Sequence, residues 1–172
     1  MSRQHALAAA VILASSGLYA QTSKADVPMA EAVEAAQTAI AACKARGYNV
    51  TVTVLDSDLS IRVVLRGDGV ANDTIEFGRR KAYTVIRTGM TSGEFGKTVL
   101  ASPAAADSKV PGPAQSSGAV AGDPNLITWA GGLPIKTGNK IVGSIGVSGA
   151  AGGEQDEACA KAGLVAIAGR LR

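Results

Sequence analysis

The chain has 172 residues, a formal net charge of +3, only 3% aromatic residues and 21 glycines. That length suits one domain. The small positive excess is scattered apart from Arg79-Arg80-Lys81, which excludes the concentrated basic stripe of a nucleic-acid-binding protein.

The amino terminus reads as a signal peptide over residues 1–20. Arg3 is its basic start, residues 6–14 are an apolar run, and Leu18-Tyr19-Ala20 forms a cleavage site before Gln21. The run is short against the roughly 20 residues of a membrane-spanning helix, and no later segment is long and apolar enough to cross a bilayer. A retained apolar helix is the alternative. Export to the periplasm or the exterior is therefore expected. Cleavage would remove His5, the single histidine, and with it the commonest metal ligand and neutral-pH acid–base group. No metal site is expected.

Residues 21–27 read as a polar leader and residues 28–172 as the domain. Pro28 suits a first helical position. Met29, Val33, Ala36, Ile40 and Cys43 then recur as one apolar stripe, up to a left-handed cap at Gly47. Val50, Val52 and Val54 alternate with Thr51 and Thr53, the pattern of a half-buried strand. Residues 56–60 turn the chain into a returning strand over 61–65, and Gly67-Asp68-Gly69 closes the hairpin. A second helix is predicted over 74–88, stopped by Gly89, with Asp73 and Glu76 at capping-box spacing. One of its faces carries Phe77, Lys81, Thr84 and Thr88, an unusual place for a lysine.

Thr91 or Ser92 caps a shorter helix reaching Leu100. Residues 101–125, rich in Ala, Pro, Ser and Gly, lack a periodic pattern and read as a long loop. A short strand follows at 126–129. Two more, at 133–136 and 140–147, flank the turn Thr137-Gly138-Asn139. A small-residue segment over 148–153 leads into a final helix. Glu154, Asp156 and Glu157 fall in its first turn, where the helix dipole favours negative charge, and Cys159, Ala162 and Ala166 share a face. Cys43 and Cys159 either pair as a disulfide in an oxidising compartment or stay as buried thiols. The element order predicts an α+β fold, an antiparallel β-sheet flanked by helices. A core of small residues has few large anchors, each buried Val or Leu contributing roughly 1.5–3 kcal/mol, so subunit association is an expected further source of stability.

Five motifs in this order resemble the GlcG/HbpS-like family, also called the haem-degrading domain family. They are Val54-Leu55-Asp56, Arg66-Gly67-Asp68-Gly69, Arg80-Lys81-Ala82-Tyr83-Thr84, Gly131-Gly132-Leu133-Pro134-Ile135 and residues 142–150. The resemblance covers the chain from about Met29 onward and implies a profilin-like or PAS-like sheet assembled into homo-oligomers. Some relatives bind haem outside the cell, and similar domains occur fused to corrinoid enzymes, so haem or another tetrapyrrole is the ligand the resemblance implies. Family members carry two glycines and often a histidine after the turn aspartate. Here those positions hold Ser57, Asp58 and Ser60, and any haem would need another iron ligand, with Met90, Tyr83 or a threonine hydroxyl as candidates.

Several residues are candidate ligand contacts. Arg66, with Asp68 beside it, can hold a carboxylate bidentately, or can serve a salt bridge. Lys81 can anchor an anion or act as a base, or snorkel to solvent. Gly131 and Gly132 permit close backbone approach to a ligand or to another chain, and Trp129 can wall a pocket or plug the core. For an enzyme, the acid–base candidates are Lys81, Asp56 and Tyr83, against bland roles for Asp56 as a turn brace and Tyr83 as a packing aromatic. Ser148 lies outside the G-x-S-x-G elbow and has no histidine partner, which excludes a Ser-His-Asp hydrolase once the signal is cut. The best reading is an exported small-ligand-binding oligomer. A cofactor-independent lyase or isomerase is the alternative, and a purely structural domain is the third.

Overall fold

The computed structural model describes residues 26–101, 119–120 and 122–171. Residues 1–20, read as a signal peptide, most of the stretch read as a leader and most of that read as a long loop lie outside the described residues. In chain order the elements are α1 (Met29–Lys44), β1 (Thr51–Asp56), β2 (Ile61–Arg66), α2 (Asp73–Thr88), α3 (Ser92–Leu100), β3 (Ala119–Val120), β4 (Asp123–Ile127), β5 (Gly132–Thr137), β6 (Lys140–Ser148) and α4 (Gly153–Ile167). The expected α+β architecture is present. An antiparallel sheet of order β2-β1-β6-β5 has α1 and α4 on one face and α2 on the other, and β3 pairs with β4 beside α2. No described helix is long and apolar enough to cross a membrane.

Because α2 covers the second face of the sheet, β1 is buried at all six positions rather than half-buried as its alternation predicted. Val52 and Val54 enter the core against α1 and α4, whereas Thr51 and Thr53 lie under α2. Thr51 Oγ1 and Thr74 Oγ1 share a hydrogen bond of 2.7 Å. Close approach of α2 depends on glycine. A Cβ on Gly146 would collide with the Gly78 carbonyl, and one on Gly132 with the Lys81 carbonyl. The room left is filled by a hydrogen bond from Ser144 Oγ to the Ala82 carbonyl, 2.9 Å long.

The other layer follows the same small-residue logic, with a different stripe from the one expected. Ala32, Ala35, Ala36, Ala39 and Cys43 are the buried face of α1, while Met29 is 54% exposed. On α4 the buried face is Asp156, Cys159, Ala160, Gly163 and Ile167, in place of Ala162 and Ala166. The reason is contact between helices: a Cβ at Gly163 would strike the Ala35 carbonyl, so only short side chains fit the seam. Cys43 and Cys159 form a disulfide across it, with a sequence separation of 116.

Local details differ from expectation where tertiary contacts compete. Pro28 is the N-cap of α1 and not its first helical residue. Val27, read as leader, is fully buried in the core. The expected capping box on α2 is absent; Asn72 is the N-cap, and its side-chain oxygen accepts from Arg66 instead. Thr91 and Glu94 form a full capping box on α3. Part of the stretch expected to be loop is β4, which pairs with β3 and packs on α2, so that strand begins at Asp123 rather than 126.

Replacing both cysteines with alanine is expected to lower the unfolding free energy by about 2–5 kcal/mol. Urea unfolding of the oxidised protein and the double variant measures this, and coincident midpoints would show that the α1–α4 seam holds without the covalent link.

Candidate functional site

Lys81 projects from α2 towards the carboxyl end of β6 and is 2% exposed. Its ammonium donates to the Asp156 carboxylate at 2.7 Å and to the Val147 carbonyl at 2.9 Å. Asp156, 3% exposed, comes from the first turn of α4 on the opposite face of the sheet, and its second oxygen accepts the Ala150 N–H at 3.0 Å. The two helices reach each other only beyond the end of the strand, where residues 148–153 are small enough to let the side chains meet. Burial pushes the Lys81 ammonium below the usual lysine range and the Asp156 carboxyl above the usual carboxylate range. Each partner's opposite charge draws the other back.

Gly131 roofs this ion pair. Its φ is +124°, and a Cβ there would lie 2.7 Å from the Val147 carbonyl oxygen and 3.0 Å from Lys81 Nζ. Together with the contact of Gly132 on Lys81, this means that both glycines serve the approach of the chain to itself.

A cleft of about 410 Å³ opens above the pair. Thr74 and Phe77 of α2 line it together with Trp129, Ser148 and the glycines at the start of α4. The Phe77 and Trp129 rings stand with centroids 5.1 Å apart and planes inclined at 55°. A larger groove of about 630 Å³ runs between α3 and α4, past Glu94, Lys97, Glu157 and Lys161. None of those charges is buried. The smaller cleft is the better candidate, because its charged floor is desolvated and interactions there are stronger than in water.

Of the residues singled out in the sequence, the cleft gathers Lys81 and Trp129. Arg66 is exposed and donates to the Asn72 side chain, and Asp68 is exposed in the following turn. Asp56 accepts the N–H groups of Asp58 and Ser60, both at 2.9 Å, and so braces its turn. Tyr83 lies partly exposed with its hydroxyl donating to Asp123 at 3.0 Å. Asp156 was legible in the sequence only as a helix-dipole acid; its role as the partner of Lys81 carries no local signal. Among the described residues no group of three or more His, Cys, Asp or Glu side chains is placed to hold a metal ion.

Lys81→Met would strand a buried carboxylate and is expected to destabilise by about 3–5 kcal/mol at pH 7, most of it recovered in Lys81→Met/Asp156→Leu. Without its cation, Asp156 in the single variant has a folded-state pKa above its unfolded value. That contribution is fully present below the unfolded carboxylate pKa and lost as pH rises through the folded one. The deficit of Lys81→Met should therefore shrink as pH falls from 7 towards about 4. Chemical denaturation across that range checks both, and a pH-independent deficit would contradict the burial of Asp156.

The architecture agrees with solved structures. HbpS is 29% identical, with a TM-score of 0.70 over 85% of this chain and 93% of that one. A double mutant of HbpS from Streptomyces reticuli is also 29% identical, with a TM-score of 0.70 over 94% of this chain and 99% of its own. The PduOC:heme complex shares the fold at 18% identity, with a TM-score of 0.67 over 83% of this chain and 96% of that one. No curated protein sequence matches. The model of the haem degrading protein HbpS-like family matches residues 27–165, and the chain belongs to that family.

Proposed function

We propose that the protein is an exported homo-oligomer that binds a small ligand, with a tetrapyrrole as the family's candidate. The observation that carries this reading is the cleft, whose floor is a desolvated ion pair and whose wall is a pair of aromatic rings, in a chain of the HbpS-like family. That a neighbour of the same fold is a haem complex supports the tetrapyrrole version. Export rests on the signal-peptide pattern. Self-association rests on the small-residue core and on the family resemblance. Arg66 and Asp68, exposed outside the cleft, belong to this reading only as contacts between copies.

The cleft does not fit a ligated haem iron. Its lining residues offer an ammonium already engaged by Asp156, the carboxylates of Asp73 and Asp156, and the hydroxyls of Thr74 and Ser148, with no imidazole, thiolate or thioether among them. Met90 lies at the α2–α3 junction and is 41% exposed. A tetrapyrrole in this reading is held by its ring face and its carboxylates, through Phe77, Trp129 and Lys81.

A second reading, a lyase or isomerase, is favoured by one observation: burial drives both Lys81 and Asp156 towards their neutral forms, the property of a proton-transfer pair. Asp56 and Tyr83 lie outside the cleft and belong to this reading only at a different site. Protein-dependent exchange of a carbon-bound proton of a small oxo acid into D2O is its readout, and a panel of such acids without exchange would dismiss it.

Titration with haemin should shift the Soret band with saturation at micromolar ligand, and Phe77→Ala should weaken that binding. A featureless titration would remove the tetrapyrrole version. Light scattering of the purified protein tests the oligomer, for which a monomer is the adverse result.

A further inference from the structure

The chain holds one tryptophan and two phenylalanines. The tryptophan and one of the phenylalanines, Trp129 and Phe77, stand together on the wall of the cleft. Both are only partly buried, so neither is a plug filling the core. Their rings, inclined at 55° to each other, offer apolar faces against which a planar group can pack.

The floor selects the other end of the ligand. A lysine ammonium has three N–H donors, and that of Lys81 finds two acceptors among the described residues, the Val147 carbonyl and Asp156. One donor of a side chain that is 2% exposed and lines the cavity thus has no acceptor among the described residues. A buried charged donor left without a partner is costly, so an oxygen delivered there is favoured. The acidic side of the floor is tied to its own cation, since Asp156 accepts from the Lys81 ammonium on one oxygen and from the Ala150 N–H on the other. Asp73, the other charged residue on the cleft, is exposed at its rim, where solvent screens it. Gly152 caps α4 without a side-chain acceptor, so the positive end of that helix also meets the cleft. An incoming amine would have to approach the Lys81 ammonium beside Asp156, whose like charge opposes it. The volume of about 410 Å³ falls near the lower end of the usual range for small-molecule sites, about 300–1,000 Å³.

We propose that the cleft binds a small aromatic carboxylate, its ring on Phe77 and Trp129 and its carboxylate on Lys81. The proposal rests on the small-ligand reading above and adds the class of ligand.

Trp129, as the single tryptophan, reports directly on the site. Titrating the purified full chain with benzoate should quench or shift its fluorescence with saturation, at a Kd about tenfold or more below those of benzamide and benzylamine. Phe77→Ala should weaken benzoate about tenfold. Lys81→Met/Asp156→Leu, which keeps an apolar floor in case the single variant fails to fold, should erase the preference for benzoate over benzamide. Equal binding of benzamide or benzylamine, no saturable response to benzoate, or an unchanged preference in the double variant would each overturn the proposal. A parallel haemin titration separates the two readings. Haemin binding without benzoate binding sinks the ligand class and leaves the small-ligand reading standing, whereas the reverse removes only the tetrapyrrole.

Discussion

The ion pair between Lys81 and Asp156 constrains the rest of the molecule. It joins α2 on one face of the sheet to α4 on the other, around the end of β6, with both groups almost fully removed from solvent. Taking two charges out of water carries a penalty of several kcal/mol per ion, which the attraction offsets only when geometry is good and the remaining donors and acceptors are filled. Asp156 meets that condition by accepting the Ala150 N–H, and Lys81 meets it in part through the Val147 carbonyl. The pair therefore specifies where the two helices sit more than it adds to stability, and its lysine lines the cleft.

Reaching that geometry requires the layers to lie unusually near one another, and the composition supplies the means. Gly78, Gly132 and Gly146 bring the backbone of α2 onto β5 and β6, while Gly163 and the alanines of α1 do the same for the helix pair on the other face. A core of this kind buries little area per residue, so it gains less from the hydrophobic effect than one built from Leu and Phe. The disulfide between Cys43 and Cys159 reinforces the α1–α4 seam three residues beyond Asp156. The covalent link and the ion pair thus hold the same helix within one turn of each other.

The same economy isolates the site. With so few aromatic side chains in the chain, placing Phe77 and Trp129 on an open wall forgoes large anchors that the core could have used. Such an expense in packing is understandable where the rings meet a ligand. The HbpS-like fold brings this surface together with a buried cation, and a small-ligand-binding reading follows from their juxtaposition rather than from any residue alone.

Much of this was readable in the chain itself. Strand alternation at Val50–Val54, the turn residues at 56–60 and 137–139, Gly89 after α2 and the Thr91–Glu94 box are local signals, and they act over a few residues whatever the surroundings. They determined the α+β element order, and the five motifs carried the family. Tertiary structure decided what those signals leave open: that Thr51 and Thr53 face a helix rather than solvent, that Asn72 stands at the N-cap of α2 and accepts from Arg66 while Asp73 is already helical, and that Asp156 belongs to Lys81. These pairings join residues as much as 75 positions apart. Local pattern measures only periodicity along one element, whereas a buried charge finds its partner through the packing of three layers.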